Sequence, residues 1–281
     1  PAPGALAGQR MLGYPGEPWN EAPWRREFER VGEGRCPIIN YSGGTEIGGG
    51  ILGCFAGLPQ KPCGFAGPIP GMVADVVDAA GRSLRALPGS GTGAEVGELV
   101  LRAPWPGMAA GFWQDEARYL DAYWSRFPGL WVHGDWARVD AGGHWFIEGR
   151  SDDTLKIAGK RVGPAEYESA LVDHELVKEA VAVGVPDPLK GETVVSAGGA
   201  EDWGASERAL RAHVGERLGK PLAPARVHRA AALPRTRNGK ILRRLVRAVY
   251  LGEALGDLSS LEDPAALEAI RACLPPSAPN A

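Results

Sequence analysis

The chain has 281 residues, 44% hydrophobic and 23% charged, a globular composition with length for about two ordinary domains. A net charge of −3 gives no global basic field to recommend nucleic acid as a partner, and no apolar run approaches the roughly 20 residues of a membrane span. The four cysteines form no CxxC pair and have no histidine at zinc-finger spacing, so reduced thiols and a cytoplasmic setting are expected. Residues 1–35 are loop-rich, with a dense turn cluster at 13–19. Trp24, Phe28 and Val31 recur at helical spacing, which predicts a short amphipathic helix over 21–31. Ile38 and Ile39 start a buried strand, residues 48–71 read as irregular loop, and 72–78 and 97–101 read as strands around a turn at 78–81. A helix is expected over 115–127, with Tyr119, Leu120 and Tyr123 on one face.

The character changes after Asp153. Strands at 156–157, 177–185, 193–197 and 227 alternate with helices at 164–172, 206–218 and 241–251, which predicts a compact α+β module of about 100 residues. Pro164 suits a first helical turn, Glu166 and Glu168 suit its positive end, and Ser206 suits an N-cap. The domain boundary is placed at 150–153, giving domains 1–151 and 152–252 and a tail 253–281.

Three polar stretches stand apart from this scaffold. Ile38-Ile39 runs into Asn40-Tyr41-Ser42-Gly43-Gly44-Thr45-Glu46, a strand opening into a Gly-rich, hydroxyl-bearing loop that can present backbone N–H groups to phosphate; a plain flexible loop is the competing account. Gly134-Asp135 closes the apolar run Leu130-Trp131-Val132, and Arg150-Ser151-Asp152-Asp153 interrupts a strand pattern, as a swivel, an ionic site or a polar hairpin loop would. Pro234 to Lys240 combines a fixed φ, an Asn-Gly turn and a lysine at a tip or helix start; there the lysine opposes the macrodipole, which suggests use on an anion. A solvated basic patch with Arg243, Arg244 and Arg247 is the alternative.

Together these stretches resemble the adenylate-forming acyl-CoA synthetases, most nearly the acetyl-CoA synthetase type. Four motifs of that family occur in order: Tyr41 to Glu46, His133-Gly134-Asp135, Gly149 through Glu168, and Pro234 through Lys240. The resemblance implies a fold of α/β and α+β parts, the end of a large AMP-binding domain followed by a small mobile domain. It implies ATP-dependent activation of a carboxylic acid to an acyl-adenylate and transfer to coenzyme A, with Mg²⁺. By the family pattern Gly16, Glu17, Pro18, Asn40, Tyr41, Gly44, Thr45, Ile147 and Arg161 serve nucleotide binding. Thr45 and Glu46 meet the α-phosphate and Mg²⁺, Asp135 accepts the ribose hydroxyls beside Arg150, and Lys240 balances charge during adenylation. Asp152 matches the hinge, and Ala158 and Gly159 the CoA-facing loop.

Two departures from the pattern carry expectations of their own. Gly43 stands where acetate-specific members have a tryptophan, which implies an acyl group larger than acetyl. The family's upstream phosphate loop is missing from these residues. The chain is therefore read as the C-terminal half of a synthetase, a fragment or split enzyme whose other half a separate chain would supply, with little or no activity alone. A non-catalytic adenylate-binding or regulatory remnant is the alternative. A Ser-His-Asp hydrolase and a Rossmann dinucleotide site find no Gly-x-Ser-x-Gly or GxGxxG support.

Overall fold

The computed structural model describes residues 6–15, 20–85, 95–157, 160–187, 191–199 and 206–274. Its packing divides into two compact units, Pro1–Asp152 and Asp153–Ala281.

The first unit holds two four-stranded sheets. In one, β1 (Leu12–Pro15) lies parallel to β2 (Ile38–Gly44), which continues antiparallel into β3 (Gly49–Gly53) and β4 (Gly67–Pro68). The β1–β2 crossover is α1 (Glu21–Arg26), extended by a π-helical turn over Glu27–Val31. Trp24 stacks on Phe28 at 5.5 Å, and with Leu12, Cys36 and Ile38 they form a small core under the crossover. The other sheet is an antiparallel meander of β5 (Ala74–Val77), β6 (Gly97–Leu101), β7 (Trp131–Val139) and β8 (Trp145–Arg150). Phe65 and Trp145 exchange backbone hydrogen bonds of 2.8 and 3.0 Å, tying the chain beside β4 to β8.

Residues 48–71 are not simply irregular, because β3 and β4 lie within them. Their glycines make room for a side chain: a Cβ at Gly50 would sit 2.4 Å from Ile69 Cδ1, and one at Gly53 3.1 Å from Ile69 Cγ1. The helix expected over 115–127 is α2 (Glu116–Trp124), started by Asp115, whose carboxylate accepts from the Arg118 N–H. Tyr119 and Tyr123, one turn apart, face the core, whereas Leu120 stays 48% exposed because adjacent helical residues point about 100° apart.

The second unit is built on a five-stranded sheet. The hairpin β9 (Leu155–Ile157) and β10 (Lys160–Val162) joins β12 (Gly191–Gly199) at Gly191, β12 pairs along its length with β11 (Glu179–Asp187), and β13 (Arg226–Arg229) runs parallel to β12. Side chains on β11 alternate between two cores. Ala180 and Ala182 face α3 (Pro164–Val172) and α4 (Ser206–Leu218), while Val181, Val183 and Val185 face α5 (Arg243–Leu251) and α6 (Ala265–Cys273). Pro164 opens α3, and Glu166 accepts the Gly163 N–H at 3.0 Å, closing a cap.

Glu168 does something other than complement the helix start. Its carboxylate accepts from the Ala182 N–H at 3.0 Å and from Arg243 Nε and Nη2 at 2.8 and 2.6 Å, joining α3, β11 and α5. Residues 253–281, read as a tail, include α6, with Ile270 only 1% exposed against β11 and α5. None of the described helices is long and apolar enough to cross a membrane.

Candidate functional site

The polar residues of the first unit converge at the end of β2 and across β7 and β8. Pairing of Tyr14 with Asn40 and of Pro15 with Tyr41 brings the end of β1 beside the start of the Gly-rich loop. Asn40 is buried, with its carbonyl accepting from the Cys54 N–H, while Tyr41 is 48% exposed at the strand's open end. Gly16, Glu17 and Pro18 lie outside the described residues.

Past Ser42 the β2–β3 register slips, and the two backbones close on each other. A Cβ at Gly43 would lie 2.1 Å from the Gly49 carbonyl oxygen, so no side chain fits there without parting the strands. A Cβ at Gly44 would lie 2.6 Å from Glu46 Oε2 and 3.2 Å from His133 Cε1. The absent side chain thus leaves room for the Glu46 carboxylate and the His133 ring beside the loop. Thr45 is exposed at the start of a 3₁₀ turn, Thr45–Ile47, and the Glu46 carbonyl is held by the Ala109 N–H at 2.7 Å. Beside it Tyr123 stacks on the fully buried Trp131 at 5.2 Å, and Trp131 lies 5.5 Å from the His133 ring. Burial, then the neighbouring Glu46 carboxylate, raises the Tyr123 phenol above its usual range.

Asp135 and Arg150 are direct cross-strand partners on β7 and β8. Asp135 is 5% exposed, 3.3 Å from His133 Nε2 and 3.4 Å from Arg150 Nη1. Gly134 has φ +85°, and a Cβ there would lie 2.9 Å from Arg150 Nη2, so the glycine leaves the guanidinium its place. Arg150 also donates to the His133 carbonyl at 3.4 Å and from Nε to Asp152 Oδ1 at 2.9 Å, with a second bond from Nη2 to Asp152 Oδ2. A buried carboxylate with its charge balanced can accept two hydroxyls at once, as a ribose diol presents. Ile147 pairs with Ala137 on the same strand pair and packs against the core.

In the second unit Lys240 lies on a loop rather than at the start of α5, which begins three residues later. The loop is closed by the bridge of Arg235 to Ile241, by Gly239 at φ +82° and by the Lys240 N–H on Thr236 Oγ1 at 3.2 Å. The basic run around it is mostly braced. Arg235 pairs with Glu179, Arg243 with Glu168, Arg244 bonds the Leu255 and Asp257 carbonyls, and Arg247 bonds Gly184 O and Glu253. Among the described residues of the run, only Arg237 and Lys240 keep side chains without such a bond. Arg161 lies on β10, its side chain outside the described atoms, as are Ala158 and Gly159 entirely.

Residues 166–240 match the model of the AMP-binding enzyme C-terminal domain. The acetyl-coenzyme A synthetase of Pyrobaculum aerophilum is 40% identical over 94% of this chain, and that of Mycolicibacterium smegmatis 41% identical over 97%. The chain matches the C-terminal region of the adenylate-forming acyl-CoA synthetase family. It spans 39% and 30% of the length of those two relatives, in their C-terminal part. The acetoacetyl-CoA synthetase of Streptomyces lividans superposes with a TM-score of 0.77 at 25% identity, covering 95% of this chain and 41% of its own. The anthranilate CoA ligase AuaEII, solved with anthranoyl-AMP, gives 0.69 at 26%, covering 86% and 45%.

Around this cluster, sequence reasoning passed over Tyr123, Trp131 and Glu98. Each looks like core filling or a strand residue until the sheet is assembled. His133 was visible only as the first residue of its motif.

Proposed function

We propose that this chain carries part of an AMP-forming acid–CoA ligase, in which a carboxylic acid attacks the α-phosphate of ATP and the thiol of coenzyme A then displaces AMP from the acyl-adenylate. The observation that supports it most is the ordered cluster of Asp135, Arg150, His133, Gly44 and Glu46, where a charge-balanced buried carboxylate adjoins a loop of backbone N–H groups. In this reading Asp135 takes the ribose hydroxyls, and Thr45 and the N–H groups of Gly44 and Thr45 take the α-phosphate. Asn40, Tyr41, Ile147 and the segment at Gly16–Glu17–Pro18 border the base. Lys240, left uncommitted by the bracing of its neighbours, offsets negative charge in adenylation.

Glu46 supplies one carboxylate, which suits a Mg²⁺ ion shared with phosphates better than an all-protein cage. When bound, that ion would neutralise phosphate charge. The first unit then corresponds to the end of the AMP-binding domain and the second to the mobile domain, with Asp152 as hinge, Ala158 and Gly159 facing coenzyme A, and Arg161 on phosphate. A cytoplasmic setting and a separate chain supplying further residues belong to the same proposal. So does an acyl group larger than acetyl; its support is the identity of Gly43 alone, since the Gly49 carbonyl fills the space beside it. Strict acetate preference in a carboxylate profile would remove it.

Calorimetry of the 281-residue chain with AMP tests the central reading. Asp135→Asn is expected to weaken AMP binding roughly 10- to 100-fold, as loss of a charged hydrogen-bond acceptor does. Lys240→Ala is expected to leave AMP affinity unchanged, because its charge serves the transition state. Equal affinity for Asp135→Asn and the parent chain would sink the assignment. A second reading is an adenylate-binding module without ligase activity, supported by the Asp135, Arg150 and Glu46 cluster lying wholly within the first unit. ATP–pyrophosphate exchange by the 281 residues would exclude the module; AMP binding without exchange fits both the module and a ligase part that needs further residues.

A further inference from the structure

Glu98 is a carboxylate 1% exposed in the middle of a sheet, with no part in the nucleotide cluster. It sits on β6 opposite Trp136 of β7, at a point where the β6–β7 register shifts. Its Oε1 accepts from Ser151 Oγ at 2.5 Å, and its Oε2 accepts from Arg126, which lies beyond α2 and stacks over Phe127 and Trp136 at 5.2 and 5.7 Å. Ser151 is held a second time, its N–H donating to the Gly134 carbonyl at 2.8 Å. Two residues later, at Asp153, the second unit begins.

We infer that Glu98 is a positioning residue: by pinning Ser151 it makes that residue the last fixed point of the first unit and holds Arg150 in register between Asp135 and Asp152. The physical reason is the cost of the alternative. A buried carboxylate that loses its donors bears the full desolvation penalty, so the bond to Ser151 is strongly maintained. A backbone anchored at Ser151 by one side-chain and one main-chain bond can turn only beyond it. Arg150, one residue back, is thereby kept where its guanidinium reaches Asp135 and Asp152 together. The inference deepens the proposed function and rests on Asp152 being the pivot.

Hydrogen exchange of the full chain, read by mass spectrometry over residues 150–153, tests it. Ser151→Ala is expected to speed exchange there roughly tenfold or more, the loss of one bond to a charged group, with the β5–β7 strands unchanged. Ser151→Thr, which keeps the hydroxyl, is expected to restore the parent rate. Glu98→Leu is expected to match Ser151→Ala, since Arg126, with its side chain 43% exposed, can hydrate, and the double variant should be no faster than either. Parent-like exchange in Ser151→Ala, no rescue by Thr, or additive effects in the double variant each overturn the anchor. The pivot is judged separately, from distance distributions between one spin label in each unit. A single narrow distance, unaltered in Asp152→Pro, would remove the pivot reading while the exchange data still decide on Glu98.

Discussion

Glu98 shows how one residue can be costly to the fold and still fixed by it. Burial raises its pKa, and that effect outweighs the opposing hydrogen bond from Ser151 and the charge of Arg126, while Asp152 adds a like charge. The native state therefore holds its proton more tightly than the unfolded chain does. Stability from this group is fully present below the ordinary glutamate range and is lost as pH rises through that range toward the elevated native value. Glu98→Gln removes the titration while keeping an acceptor for Ser151. Its melting temperature is expected to gain on the parent chain as pH is taken from about 4 to 8. A difference that is flat with pH would show that the carboxylate is not strained in the native state.

Among the elements, α6 is the one whose place the amino-acid order conceals. Nine residues, Ala265–Cys273, follow a polar stretch and carry an ordinary amphipathic pattern, which reads equally as a surface tail. In the fold their apolar face closes the core formed by Val181, Val183, Val185 and Val246. Ile270→Ala is expected to destabilise the chain by about 2–4 kcal/mol, the usual cost of emptying a well-packed aliphatic site. Denaturant titration measures it, and a loss below about 0.5 kcal/mol, the level of a surface substitution, would mean the helix is not docked. The same reasoning separates β3 from a loop: its glycines look like breakers in sequence and act as clearance for Ile69 in the sheet.

At the scale of the whole molecule, each unit has hydrophobic clusters of its own. Leu155, Tyr167, Val194 and Leu210 belong to the second unit, and Ile51, Leu99, Trp131 and Trp145 to the first. Residues 153–281 expressed alone are therefore expected to melt in one cooperative transition. A non-cooperative or absent transition would show that the second unit depends on the first.

The family, the order of the motifs and most elements of the second unit were legible in the amino-acid order, because strand and helix periodicities and cap residues such as Pro164 and Glu166 act over a few residues. The roles of Glu98, Tyr123 and Glu168 were not, since their partners lie 53, 77 and 75 positions away and no local pattern encodes a long-range pairing. Lys240 stands between the two cases. Its motif marks it, but only the folded chain shows that its neighbours are spent on Glu168, Glu179, Glu253 and backbone carbonyls. Sequence alone determined which chemistry these residues resemble. Tertiary structure decided which charges are held and which stand exposed, because the balance of burial against pairing exists only once the sheets have closed.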